Sequence, residues 1–141
     1  MGMSFSVSIG RSFLLRVEYG EDIVQFLAKF SEKNEIAAAT FTAIGALKSA
    51  KLGFYDQEKH EYREELLSTP QEIACCVGNI SIKENKPFIH SHAALTNQKG
   101  NTHGGHLLEG KVFAAEIHLT ELLGARIVRI NDAATGLSLW L

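Results

Sequence analysis

Cysteine and proline are scarce in this chain, with two of each among 141 residues. The cysteines, Cys75 and Cys76, are adjacent, and a disulfide between neighbours would be strained, so we expect both to remain reduced and to pack as small hydrophobic side chains. No apolar run approaches the ~18 residues that span a membrane. Residues 1–5 also lack the basic region and apolar core of a signal peptide, so we expect a cytoplasmic location without membrane association.

Concentrated positive charge is missing as well. The formal net charge is −2, and the densest basic stretch, residues 48–51, carries two positive charges. A domain that binds DNA unaided needs a basic stripe to neutralise phosphates, so composition gives no support to DNA binding. The chain also contains no Gly-x-Ser-x-Gly, P-loop or GxGxxG motif. Serine hydrolase, NTPase and Rossmann functions therefore have no support.

The apolar pattern is that of one globular domain. Hydrophobic residues make up 45% and charged residues 21% of the chain, and the length suits a single domain over residues 1–141. Strict alternation predicts a strand over residues 11–19. Ile23, Phe26, Leu27 and Phe30 then recur at the spacing of one helix face, which predicts an amphipathic helix ending near residues 33–34.

From residue 36 onward the pattern indicates strands. In order they are residues 37–46, 50–56, 60–67, 71–82, 87–95, 112–122, 126–130 and 137–141, with a bulge or close backbone approach at residues 78–79. These elements predict an α+β domain with one principal helix and a large, mainly antiparallel β-sheet. Because one helix covers only part of such a sheet, we expect a partner subunit over the remaining apolar face.

Four of the six histidines lie close together in the second half of the chain. His90 and His92 are two apart in a predicted strand, so their imidazoles project from the same face. His103 and His106 bracket a Gly-Gly pair, which we interpret as a flexible hinge that could turn either imidazole toward the first two. Neutral imidazole is the commonest ligand of divalent metals, and three such ligands leave a fourth position open. The pattern predicts a metal site.

Two alternatives remain open at this stage. The histidines could be partly buried hydrogen-bonding side chains without a metal, as single histidines in strands often are.

A second open question concerns the predicted strand 112–122. Glu116 and His118 share one face of it, and Phe113 and Ala115 share the other face with Ile117 and Leu119. Glu116 could support a metal ligand or act as a base, or it could form a solvated ion pair with His118.

Seven short segments make the chain recognisable. They are Gly20-Glu21-Asp22, Ile44-Gly45-Ala46-Leu47, Gly53-Phe54-Tyr55-Asp56, Glu72-Ile73, Gly78-Asn79-Ile80-Ser81, Pro87-Phe88-Ile89-His90-Ser91-His92 and Gly104-Gly105-His106-Leu107-Leu108-Glu109-Gly110. In this order they resemble the PPC domain (plants and prokaryotes conserved, DUF296). The resemblance covers about residues 11–139 and implies His90, His92 and His106 as zinc ligands. His103 stands where the family more often has an apolar residue.

The resemblance also implies a compact domain that forms homotrimers. Plant members carry an AT-hook with the sequence Arg-Gly-Arg-Pro, which is absent here, so the stand-alone prokaryotic type is implied. Three functions follow as hypotheses. The chain is a zinc-binding homotrimer with an open coordination position and an unidentified small-molecule ligand, a DNA-associated regulatory module with a structural metal, or a trimer whose histidines are purely structural.

Overall fold

The computed structural model describes residues 2–140, which form one α-helix and eight β-strands. In chain order these are β1 Ser8–Val17, α1 Ile23–Lys33, β2 Ala39–Asp56, β3 Glu61–Leu67, β4 Gln71–Lys83, β5 Lys86–Thr96, β6 Thr102–Leu123, β7 Arg129–Asn131 and β8 Ser138–Trp140. The predicted α+β class is confirmed, with a large antiparallel sheet and one helix. The last predicted strand ran to residue 141, which lies outside the described residues. Within the described part of the chain, no helix has the length and apolarity needed to cross a membrane.

The helix begins and ends where the sequence predicted. Asp22 caps its first turn, because a carboxylate oxygen accepts hydrogen bonds from the backbone N–H groups of Val24 and Gln25 at 3.0 and 2.9 Å. The other carboxylate oxygen accepts a hydrogen bond from the Gly110 N–H of β6 at 2.7 Å. One side chain therefore both starts α1 and ties it to the sheet, and the helix ends at Lys33.

The main sheet closes on itself. β6 pairs with β5 and with β2, β2 pairs with β4, and β4 pairs with β5, so these four strands form a closed antiparallel ring. β1 pairs with β6 and β3 with β2, and α1 packs against β5 and β6. The core inside the ring includes the fully buried Leu47, Leu95, Val112 and Leu119. Because the closed sheet encloses this core, exposed apolar residues of its strands, such as Leu14 and Ile44, lie on its outer face.

Two long strands replace shorter predicted ones. The predicted strands 37–46 and 50–56 are one strand, β2, which is bent by register shifts that do not end it. Likewise, the predicted strand 112–122 is the second half of β6. One register shift against β6 passes over Phe113, since Ala46 pairs with Ala114 and Leu47 with Val112. The prediction that Phe113 shares a face with Ala115, Ile117 and Leu119 was therefore wrong, because those three are buried and Phe113 is 60% exposed.

Gly78 brings the strand that carries two histidines close to its neighbour. A Cβ atom at Gly78 would lie 2.5 Å from Cζ of Phe41 and 2.6 Å from the carbonyl oxygen of His90. The predicted close approach of the backbone is confirmed here. The bulge in β4 lies elsewhere, between Ile73 and Cys75.

The adjacent cysteines point to different environments. Both thiols are free, Cys75 is exposed and Cys76 is buried in the core. Burial raises the pKa of the Cys76 thiol to about 11, so this thiol stays protonated and packs as a small hydrophobic group.

Gly45 gives a direct test of the closed sheet. Its φ is 132°, and a Cβ atom there would lie 2.2 Å from the carbonyl oxygen of Ala114 on β6. We expect Gly45→Ala to lower the free energy of unfolding by about 3 kcal/mol or more, measured by denaturant titration, because backbone atoms cannot yield easily. Gly100→Ala is the control, since Gly100 also has a positive φ, 79°, but open space around it. There we expect a loss of about 1 kcal/mol, and equal losses would contradict the β2–β6 contact.

Candidate metal centre

Three histidines meet on the outer face of the sheet. His90 and His92 lie on β5, and His92 is directly opposite His106 of β6 in the strand register. One ring nitrogen from each of the three lies within 4.8 Å of the other two. Nitrogens bound about 2.1 Å from one tetrahedral ion are roughly 3.4 Å apart, so side-chain movements of about an ångström complete that geometry. The ring centroids are 5.3, 5.2 and 4.1 Å apart. We call these three residues the histidine triad.

Strand geometry explains how the triad assembles. The predicted same-face pair is present, because residues two apart on β5 point to one side while Ser91 and Ala93 point into the core. The third histidine arrives through the β5–β6 register. The predicted Gly-Gly hinge was wrong, since Gly104 and Gly105 belong to β6 and pair with Ala94 and Ala93. Gly105 instead allows a close backbone approach, because a Cβ atom there would lie 2.6 Å from the carbonyl oxygen of Gly53.

His103 lies outside the triad. It is three residues before His106 on a continuous strand, and an odd separation places two side chains on opposite faces. Its Nδ1 atom lies 2.7 Å from a carboxylate oxygen of Glu65 on β3. Of the two histidines that flank the glycines, the structure brings only His106 to the pair on β5.

Glu116 and His118 also lie apart from the triad within one chain. In the register, β2 and β4 lie between His118 and His92, so the path between them along the sheet crosses three strand spacings, about 14 Å, and neither Glu116 nor His118 belongs to the cluster of the triad. Nε2 of His118 lies 3.0 Å from the hydroxyl oxygen of Ser12 on β1. The structure therefore does not place Glu116 or His118 where either could contact a metal held by the triad of the same chain.

Arg129, from β7, contacts the triad and was missed in the sequence. Its Nη2 group donates to Nδ1 of His90 at 3.3 Å and to the side-chain oxygen of Asn79 at 3.0 Å. Its Nε group donates to the hydroxyl of Ser81 at 2.7 Å, and Nη1 donates to the carbonyl oxygen of Ser138 at 2.9 Å. No motif links β7 to the histidines, so only the tertiary structure reveals this contact.

Aromatic rings surround the guanidinium and one edge of the triad. The guanidinium carbon of Arg129 lies 5.2 Å from the ring centroid of Phe88 and 5.6 Å from that of Trp140. On the other side, Tyr62 meets His106 edge-on, with ring centroids 5.2 Å apart. Burial raises the pKa of Tyr62, so its hydroxyl is protonated at neutral pH. The β2–β3 hairpin and the C-terminal hairpin thus flank the triad.

The environment keeps His90 and His106 neutral. Burial is the main reason that the pKa of His90 falls from 6.5 to about 4, and the charge of Arg129 and the neighbouring histidines lower it further. Burial and His92 lower the pKa of His106 as well. Neutral rings have the free lone pair that a metal ligand needs. The donor set, three nitrogens and no carboxylate or thiolate within the described group, fits a transition metal such as zinc.

Fold and site together define an α+β domain with a histidine triad on the outer face of a closed sheet. A family model for the Plants and Prokaryotes Conserved (PCC) domain matches residues 4–123. The chain belongs to this family.

Solved structures show the same fold. A metal-containing protein from Archaeoglobus fulgidus superposes with a TM-score of 0.96 at 44% identity, over 99% of both chains. A plant- and prokaryote-conserved protein from Pyrococcus horikoshii gives 0.94 at 40% identity, over 99% of this chain and 97% of that one. A proposed DNA-binding protein from Ralstonia eutropha JMP134 gives 0.81 at 27% identity, over 90% and 88%.

A longer curated relative contains a similar segment. The chain is 33% identical over 129 residues to the bifunctional protein GlmU of Synechococcus sp. (strain JA-3-3Ab). The match takes in 89% of this chain but spans only 20% of the length of that relative.

The lowered pKa of His90 predicts how the metal-free protein responds to acid. Its folded-state pKa, about 4, lies below the ordinary 6.5, so the unfolded state binds more protons between these values. The contribution of His90 to the free energy of unfolding is therefore fully present above pH 6.5 and is lost as the pH drops toward 4. We expect the free energy of unfolding, measured with chelator present, to fall less steeply over this range in His90→Gln than in the wild type. Parallel pH profiles would contradict the assigned environment.

Proposed function

We propose that this chain binds one divalent metal ion, zinc, through His90, His92 and His106. The observation that carries the proposal is the convergence of three imidazole nitrogens from two paired strands within 4.8 Å. The low pKa values of His90 and His106 support it, because both rings are neutral at pH 7. The metal content of the similar Archaeoglobus fulgidus protein supports it as well. Calcium and magnesium are disfavoured, since both prefer oxygen ligands.

We infer that the fourth coordination position is open to a small molecule. Three protein ligands are typical of catalytic zinc sites, and a fourth protein ligand is typical of structural ones. His103, the nearest further histidine in the sequence, points away from the triad and contacts Glu65. When bound in such a site, zinc lowers the pKa of a water ligand to about 7 and polarises carbonyl or phosphoryl oxygens. Hydrolytic or lyase chemistry is the class that this arrangement supports.

Two single variants test the ligand set and the open position together. We expect His106→Ala to weaken zinc affinity by one to two orders of magnitude, about 1.4 kcal/mol per tenfold, because it removes one of three ligands. His103→Ala is the matched control, because it removes a histidine three residues away on the same strand that lies outside the triad, and it should leave zinc affinity unchanged. Competition titration with a chromophoric chelator measures both. Equal losses in the two variants would overturn the open site.

We further propose that the chain forms a homotrimer through the outer face of β1, β2, β4 and β6. Leu14, Ile44 and Val77 on this face are 86%, 60% and 50% exposed, and Phe113 is also exposed. Clustered apolar side chains of this size mark interaction surfaces in soluble proteins. The cluster borders the triad, since Val77 is paired with His92 in the register. A second and a third copy of the chain would remove it from water.

Light scattering tests the homotrimer. We expect a mass of three times 15.5 kDa at micromolar concentration. An Ile44→Lys/Phe113→Lys double variant should lower that mass, because it places charges in the apolar cluster. Leu66→Lys, at an exposed apolar position of β3 outside the cluster, should not. A monomer mass for the wild type would contradict the proposal.

Association with DNA is a second candidate, in which the metal would be structural. The similarity to the proposed DNA-binding protein of Ralstonia eutropha favours it, and the net charge of −2 opposes it. We expect weak binding without sequence preference in fluorescence anisotropy with labelled duplexes. Each phosphate neutralised should add about −0.9 to the slope of log K against log salt concentration. Nanomolar, sequence-selective binding at physiological salt would make DNA the main partner.

A further inference from the structure

Arg129 is a buried cation without a carboxylate partner. Its exposure is 8%, and the ion pairs formed among residues 2–140 do not include it. Charged side chains are almost never fully buried unless they are paired, because removing a charge from water is costly. The acceptors around Arg129 are neutral: two side-chain oxygens, one backbone carbonyl and one imidazole nitrogen. Its N–H groups therefore have hydrogen-bond acceptors, but no negative charge neutralises the guanidinium.

The guanidinium also has spare hydrogen-bonding capacity. It carries five N–H groups, and four acceptors are in contact with them, so one N–H group remains. Arginine can only donate, which makes Nδ1 of His90 the acceptor in their hydrogen bond and places the hydrogen of the neutral ring on Nε2.

Metal ligation by His90 releases a second donor. The ion needs a ring nitrogen with a free lone pair. It takes either Nδ1, in place of Arg129, or Nε2, after the ring hydrogen has moved to Nδ1. Both routes end the hydrogen bond between Arg129 and His90. Two of the five N–H groups of Arg129 are then without an acceptor.

The guanidinium stays at the triad when this bond is lost. Its contacts with Ser81 and the carbonyl oxygen of Ser138 do not involve His90, and the rings of Phe88 and Trp140 lie beside it. The freed donors and the positive charge therefore remain next to the residue that holds the metal.

We propose that Arg129 and the metal ion together bind an oxyanion, a carboxylate or phosphate group of the small molecule that occupies the open position. This inference rests on the proposed metal site. The three imidazoles carry no charge to offset a divalent ion, and no carboxylate belongs to the described triad group, so ion and arginine form a strongly positive site. Arginine matches the paired oxygens of carboxylates and phosphates with two parallel hydrogen bonds, which are about twice as strong as neutral ones.

Cobalt(II)-loaded protein provides the test, because its visible absorption changes when the fourth ligand changes. Sodium acetate and inorganic phosphate are titrated separately into the wild type and into Arg129→Gln. We expect the dissociation constant of the preferred anion to rise at least tenfold in Arg129→Gln. Arg126→Gln is the matched control, since it removes the same charge three residues away, where the side chain is exposed and donates a hydrogen bond to Asn85. It should bind the anion like the wild type.

A comparison within the wild type keeps the test decisive if Arg129→Gln does not fold. Acetate should bind at least tenfold more tightly than acetamide, which has the same shape without the charge. Equal binding of acetate and acetamide, or unchanged anion affinity in a folded Arg129→Gln, would overturn this inference while leaving the metal site intact. Failure of the wild type to bind cobalt would instead overturn the proposed metal site. Tighter binding of phosphate assigns a phosphate group, and tighter binding of acetate assigns a carboxylate.

Discussion

The pairing of β5 with β6 is the interaction on which the site depends. It closes the four-strand ring, and it sets His92 directly opposite His106. β6 can do this because it is long enough to pair with β5 at its start and with β1 and β2 further along. Side chains alternate between faces, so the same register that buries Leu95 and Leu107 in the core presents the histidines on the outer surface. A slip of one residue would bury the imidazoles and expose the core.

Local patterns in the sequence predicted the elements well and the long-range pairing poorly. Alternation placed His90 and His92 on one face, and the spacing of apolar residues placed α1. His106 entered the site through family resemblance, since a sequence pattern carries no information on strand register. Gly104 and Gly105 looked like a hinge because the conformational freedom of glycine can be read from the local sequence. The pairing with β5 that holds them in β6 is a long-range contact, which the local sequence does not reveal. Arg129 had no local signal, because its role depends on where the C-terminal hairpin packs.

The electrostatics of the site follow from its position on the sheet. Partial burial of His90 and His106 keeps their rings neutral, and the hairpin that covers β4 and β5 introduces a buried arginine rather than a carboxylate. The triad therefore presents imidazole nitrogens beside a fixed positive charge. Next to it, the outer face exposes Leu14, Ile44 and Val77, so the surface that we propose to bind other copies of the chain borders the triad.

We propose that the histidine triad holds one metal ion per chain. The most direct measurement is the metal-to-protein ratio, by elemental analysis, of protein purified without an affinity tag. We predict one zinc ion per chain in the wild type and none in a His90→Ala/His92→Ala double variant that keeps the native circular dichroism spectrum. Stoichiometric metal in the folded double variant would contradict the claim.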